Sequence, residues 1–137
     1  MQQRSAMDAV MSGAFQALNS TGFTGLSSLH LYRVPQGTTC PYALLQSPFE
    51  IRQDCFQAPG KQVTFQVHVV SVSPAAEPHA ILNKAVELLH YSTSMAATAH
   101  TPMVVQYETG ESYEETVDGV LYRHVVGMFR AQVWQTS

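Results

Sequence analysis

A chain of 137 residues points to one domain over 1–137, since two would each sit near the size at which a hydrophobic core becomes marginal. Against about 25% charged residues in ordinary domains, it has 12% charged and 45% hydrophobic residues, so it is not disordered, and 12 Gln, 12 Ser and 11 Thr must build its polar surface. Such groups lose less hydration than ions when another surface covers them, which favours life in an assembly over a low-charge monomer; the net charge of −3 without a basic run argues against direct binding along a phosphate backbone.

The N-terminus lacks the apolar run of a signal peptide and no stretch approaches 18 apolar residues, so the product is expected to be made and kept in solution, with no membrane partner. The first helix is predicted over Ala6 to Leu18, with Ser5 as N-cap and Asp8 completing a capping-box-like pair. Met7, Val10, Met11, Ala14 and Leu18 give it one apolar stripe. A Gly/Ser/Thr-rich loop runs to Ser28, and Leu29 to Val34 alternates as a short strand closed by Pro35 and Gly37. A second strand follows over Tyr42 to Gln46. From Ser47 to Gly60 no period holds, and this interval is a functional loop or a protruding hairpin, of which the hairpin is favoured.

Lys61 to Ser71 is the clearest strand, with Val63, Phe65, Val67 and Val69 on one face and Gln62, Thr64, Gln66 and His68 on the other. Ser73-Pro74 opens a helix to about His90 whose apolar positions are Ile81, Leu82, Ala85, Leu88 and Leu89; Pro78 is tolerated if the regular helix starts near Glu77. A linker over Ser92 to Thr101 leads to strands over Met103 to Glu108 and Gly119 to Trp134, the last with a twist or bulge at Gly127. The order implies an α+β fold: a mainly antiparallel sheet of about five strands, two helices packed on one face, and a protruding flap or hairpin. On the last strand Leu121, Val125, Phe129, Ala131 and Val133 share one face, while Val120, Tyr122, Val126, Met128 and Trp134 share the other with His124, Arg130 and Gln132. A single sheet backed by helices needs one apolar face, so the excess points to subunit contact, unless the Ser47 to Gly60 flap wraps back over it.

The chemistry search returns little. Six histidines, at 30, 68, 79, 90, 100 and 124, contain no HxH, HxxH or HxxxH pair, so no local metal chelate exists. His68 and His124 lie on strands and could converge with an acid, although a lone strand histidine is more often a half-exposed sheet residue. Cys40 and Cys55 are separated by fourteen residues without a CxxC, which excludes a zinc ribbon and a disulfide-rich scaffold and leaves two reduced thiols or one bridge. No GxSxG elbow and no phosphate-binding glycine pattern is present. No catalytic residue, metal ligand or cofactor is thus assigned from local motifs, and an enzyme is left only through residues that the fold brings together. Glu108, Glu111, Glu114, Glu115 and Asp118 hold five of the ten acids within eleven residues, without the spacing of a divalent-ion loop. They form either a solvated hairpin tip or a negative wall that lets a polyanion pass without sticking.

The ordered set of Leu31-Tyr32, Pro35, Pro41-Tyr42, the charged flap around Glu50 to Asp54, Thr64 to Val69, Leu88-Leu89-His90, Asp118-Gly119-Val120, Arg123-His124 and Phe129-Arg130-Ala131 resembles the tail-terminator, or tail-completion, proteins of long-tailed bacteriophages and related gene-transfer particles. That resemblance implies a non-enzymatic virion protein at the neck end of the tail, assembled in the host cytoplasm. It would form a ring, of six copies, that caps the tail tube, stops its growth and presents a surface for the head connector or stopper, with DNA passing through the lumen unbound. It further implies that Glu50, Arg52, Asp54, Tyr122, Met128 and Arg130 lie at subunit or tube boundaries, and Glu111, Glu114, Glu115 and Asp118 at the lumen or an end face. A head-to-tail connector of the same particle is the near alternative. The remote one is a small enzyme or ligand-binding protein, which requires His68 or His124 gathered with an acid in a concave site.

Overall fold

The computed structural model describes residues 4–20, 23, 26–54, 60–72, 76–90 and 98–136. Its elements are α1 (Met7–Ser20), β1 (Ser28–Leu31), β2 (Tyr42–Arg52), β3 (Gly60–Ser71), α2 (Ala76–Leu89), β4 (His100–Val117) and β5 (Val120–Gln135). The five strands form one sheet in the order β1-β2-β3-β5-β4, antiparallel except for the short parallel pair β1-β2. Both helices pack on one face, α1 over β1, β2 and β3, and α2 over β3, β5 and β4. This is the α+β arrangement expected from the element order.

The core follows the two periodicities of the sequence. Val10, Met11, Ala14 and Leu18 of α1 and Ala85 and Leu89 of α2 are fully buried against Val63, Phe65, Val67 and Val69 of β3 and Phe129 and Ala131 of β5. At its centre the Phe65 and Phe129 rings stack 5.6 Å apart across the β3-β5 pair. At Gly127 α2 comes so near the sheet that an added Cβ would lie 2.7 Å from Leu82 Cδ1 and 3.2 Å from the Tyr107 ring. Glycine is kept there by this close approach. The bulge expected at Gly127 lies instead on the partner strand, where the β4 register shifts between Tyr107 and Thr109.

Several boundaries move for identifiable reasons. β1 stops at Leu31 because Tyr32 takes φ 70°, and the Tyr32 hydroxyl donates to Asp8 Oδ1 at 2.8 Å. Burial and that carboxylate raise the Tyr32 phenol to about 12. Asp8 is thus not the capping-box partner of Ser5. Ser5 Oγ accepts from Met7 N at 3.3 Å, and Glu50, brought from β2, accepts from Ala6 N at 2.5 Å at the positive end of α1. β2 does not end at Gln46: Ser47, at φ 56°, and Pro48 form a bulge, after which Phe49 to Arg52 pair with Thr64 to Lys61. The favoured hairpin is therefore the β2-β3 hairpin itself. Phe49 and Ile51 are exposed on it, so its described arms do not wrap back over the sheet; 55–59, with Cys55 and its pairing, lie outside the described residues. Cys40 is free.

The largest correction concerns the acidic segment. It is not a loop but the distal half of β4, paired with β5 up to Val117 and Val120, and the tip is only Asp118-Gly119. Both tip residues have positive φ, 51° and 78°, as a two-residue hairpin turn of this hand requires. The sequence 73–75 that was to open α2 and most of the Ser92 to Thr101 linker lie outside the described residues, although His100 and Thr101 already belong to β4.

Truncating Phe65 or Phe129 to alanine should cost about 3–5 kcal/mol, read from denaturant unfolding. Glu50→Ala should cost about 1 kcal/mol in the same measurement, since it strips a long-range N-cap.

Candidate open-face interface and histidine row

Alternation on β3 and β5 leaves the second sheet face to Gln62, Thr64, Gln66, His68 and Val70 opposite Gln132, Arg130, Met128, Val126 and His124. β2 adds Tyr42, Leu44 and Gln46 to this face, then Phe49 and Ile51 beyond the bulge, and β4 adds Glu111, Tyr113, Glu115 and Val117. Among the described residues no helix covers it. A five-stranded sheet with strands of about ten residues spans roughly 24 by 34 Å, or ~800 Å², the area one partner contributes to a standard protein interface.

Across this face runs a row of four polar side chains from four strands. Gln46 Nε2 lies 3.1 Å from His68 Nδ1, His68 Nε2 lies 2.8 Å from His124 Nδ1, and His124 Nε2 stands 3.3 Å from Glu115 Oε1, off the line of a hydrogen bond. The Gln46 amide donates to His68 Nδ1, so the His68 proton sits on Nε2 and is donated to His124 Nδ1, which leaves the His124 proton facing Glu115. Tyr113 stacks on the His124 ring at 4.5 Å and 5°. Burial, reinforced by His124 and opposed by Glu115, lowers His68 to about 4.

Beside the row lies a cleft of about 330 Å³ lined by Val34, Pro35, Cys40, Tyr42, Tyr122 and Glu115 among others. The sequence pairing of His68 or His124 with an acid is thus realised, by His124 and Glu115 across the β4-β5 hairpin, while Gln46, His68 and His124 come from strands 22 to 56 residues apart that no short motif links. Cys40 is held as a thiol, its ionisation pushed up by burial and by Glu77. Among the described residues no group of three His, Cys, Asp or Glu is placed to hold a metal ion.

The residues assigned by resemblance fall in three places. Glu50 is occupied at the α1 N-terminus, and Arg52 forms an exposed ion pair with Asp54. Met128 and Tyr122 lie on the uncovered face, as does Arg130, which is held by Glu108 at 2.7 Å and Gln106 at 2.6 Å. Glu111, Glu114, Glu115 and Asp118 are all exposed on the β4-β5 arm, Glu114 meeting Arg123 at 3.0 Å and Glu115 meeting His124.

No family model matches the sequence, and no curated protein matches it. The fold is similar to a chain in the virion of a native gene transfer agent particle, with a TM-score of 0.80 at 14% identity, over 96% of this chain and 99% of that one. At that identity the likeness establishes a shared fold.

Because folded His68 resists the proton that the unfolded chain takes up near the ordinary histidine value, stability should be complete above about pH 6.5 and fall as pH drops toward 4. The melting temperature should decline over that window, and His68→Gln should flatten the decline.

Proposed function

We propose that this chain, one domain over 1–137, is a structural protein of a phage-like particle: a tail terminator that forms a ring, of six copies, on the end of the tail tube, ends tube polymerisation and offers the surface on which the head connector or stopper joins. Its partners are then other copies of itself, the tube protein and the connector, with DNA passing through the lumen unbound, and its place is the neck end of the tail after assembly in the host cytoplasm. The observation that carries this reading is the fold shared along nearly the whole of both chains with a component of a gene transfer agent virion. The sequence resemblance points the same way. Three features fit it: scarce charge, a sheet face left without a helix, and β4 as an 18-residue edge strand. That edge is partly closed near its middle, where the Tyr107 amide donates to His90 Nδ1 at 2.9 Å. An edge and a face of this kind suit a head-to-tail contact, which closes at a number set by the rotation between subunits.

The histidine row favours one other reading, a small-ligand binder or enzyme working in the cleft beside Tyr42 and Tyr122. Against catalysis stand the suppressed Cys40 thiol and the absence of any other nucleophile against His124 among the described hydrogen bonds. The row is equally a cross-strand network that satisfies polar groups on a face about to be covered.

Native mass measured alone and with tube protein separates the readings. A ring that appears on tube ends and fixes tail length supports termination; binding to the portal side instead identifies a connector. A monomer under both conditions, with tails of normal length formed in its absence, overturns the particle assignment.

A further inference from the structure

β3 stops at Ser71, opposite Arg123, while β5 and β4 run on, so the uncovered face has no middle strand at that end. The cleft of about 330 Å³ beside the histidine row lies at this gap. One bank is the connection between β1 and β2, with Pro35 and Cys40, and then Tyr42 at the start of β2. The other bank is Tyr122 with Glu115, its register partner across the β4-β5 pair. Val70 and His124, themselves paired, join the two.

The chemistry of this wall is one-sided. Among the described residues no Lys or Arg lines it, and its one carboxylate, Glu115, is exposed and accepts no hydrogen bond. The buried His124 Nε2 stands 3.3 Å from Glu115 Oε1, off the line of a hydrogen bond; because Nδ1 of that ring accepts from His68, the ring is neutral and offsets none of the carboxylate's charge. Tyr42 and Tyr122 are half-buried, and neither hydroxyl has a hydrogen-bond partner among the described residues. The Tyr42 phenol is pushed up, first by burial and then by the acidic groups around it, Cys40, Tyr122, Glu115 and Tyr113. Of these only Glu115 is ionised at neutral pH, so the field in the cleft is that of one uncompensated carboxylate.

We propose that this cleft binds a small organic cation, an alkylammonium or guanidinium group whose charge meets Glu115 and whose carbon body lies against the Tyr42 and Tyr122 rings. This rests on the small-ligand reading of the cleft and adds the class of ligand; it needs no second copy of the chain. A cation over an aromatic face gains from the ring quadrupole, and the phenol oxygens can accept from its N–H groups. A phosphate or carboxylate ligand would meet Glu115 with no cation to hold it. A bare metal ion fits no better, since among the described residues no three ligating side chains converge.

The test uses the full chain and three probes of one size and shape, benzylammonium, benzyl alcohol and benzoate. Titrations followed by NMR on the tyrosine and histidine ring protons should show saturable shifts at Tyr42, Tyr122 and His124 with benzylammonium, binding about tenfold tighter than benzyl alcohol, and none with benzoate. Glu115→Gln, which keeps the size of the side chain, should bring benzylammonium down to the affinity of benzyl alcohol, and Tyr122→Leu should weaken it about threefold. Glu111→Gln, on the same strand but outside the cleft, should leave it unchanged. Affinity for benzyl alcohol or benzoate equal to that for benzylammonium overturns the cation assignment while leaving a ligand cleft. So does unchanged binding in either cleft variant, or an equal loss in Glu111→Gln. No saturable shift with any probe overturns both the cation and the small-ligand reading.

Discussion

Two helices of fourteen residues can cover one face of this sheet and no more. α1 takes the β1-β2-β3 side and α2 the β3-β5-β4 side, and their apolar stripes are consumed there. Everything distinctive in the molecule follows from the face that remains. Its residues are neither a second core nor an ordinary hydrated surface: glutamines, threonine and a histidine pair are set among Leu44, Phe49, Ile51, Val126 and Met128. Such groups can be covered at low desolvation cost or left in water.

The central layer was legible because its periodicity is strict. β3 alternates without exception over Val63 to Val69, α1 repeats at helical spacing, and these alone fix which face is core. The edges were harder to read for a physical reason. Pro48 and a run of acids ordinarily mark a loop, yet a bulge with Ser47 at positive φ absorbs the proline, and a solvated two-stranded ribbon places its carboxylates in water at no cost. Local signals for stopping a strand are outvoted where a partner strand of sufficient length is present. β5 is that partner, since its sixteen residues outrun β3 and carry β4 with them.

Long-range polar contacts were invisible for a different reason. Glu50 caps a helix 44 residues upstream, and Asp8 is taken by Tyr32 instead of its local backbone. A capping box is a statement about neighbours in sequence, and here tertiary structure offers the helix a better acceptor. The histidine row is the same lesson on the sheet: its members meet because β2, β3, β5 and β4 lie side by side in register, and only the His124–Glu115 contact, across the β4-β5 hairpin, joins residues close in the chain.

This placement bears on what the row does. His68 resists protonation because it is buried, and burial together with Glu77 keeps Cys40 a thiol. The row also meets most of its own polar needs. Every ring nitrogen but the last has a partner, the last points at a carboxylate, and one flank is shielded by the stacked Tyr113 ring. Three of the four ring nitrogens are satisfied within the row, whereas four unlinked polar side chains would each look to water. What the row leaves open is His124 Nε2, buried without a hydrogen bond beside the exposed Glu115 carboxylate.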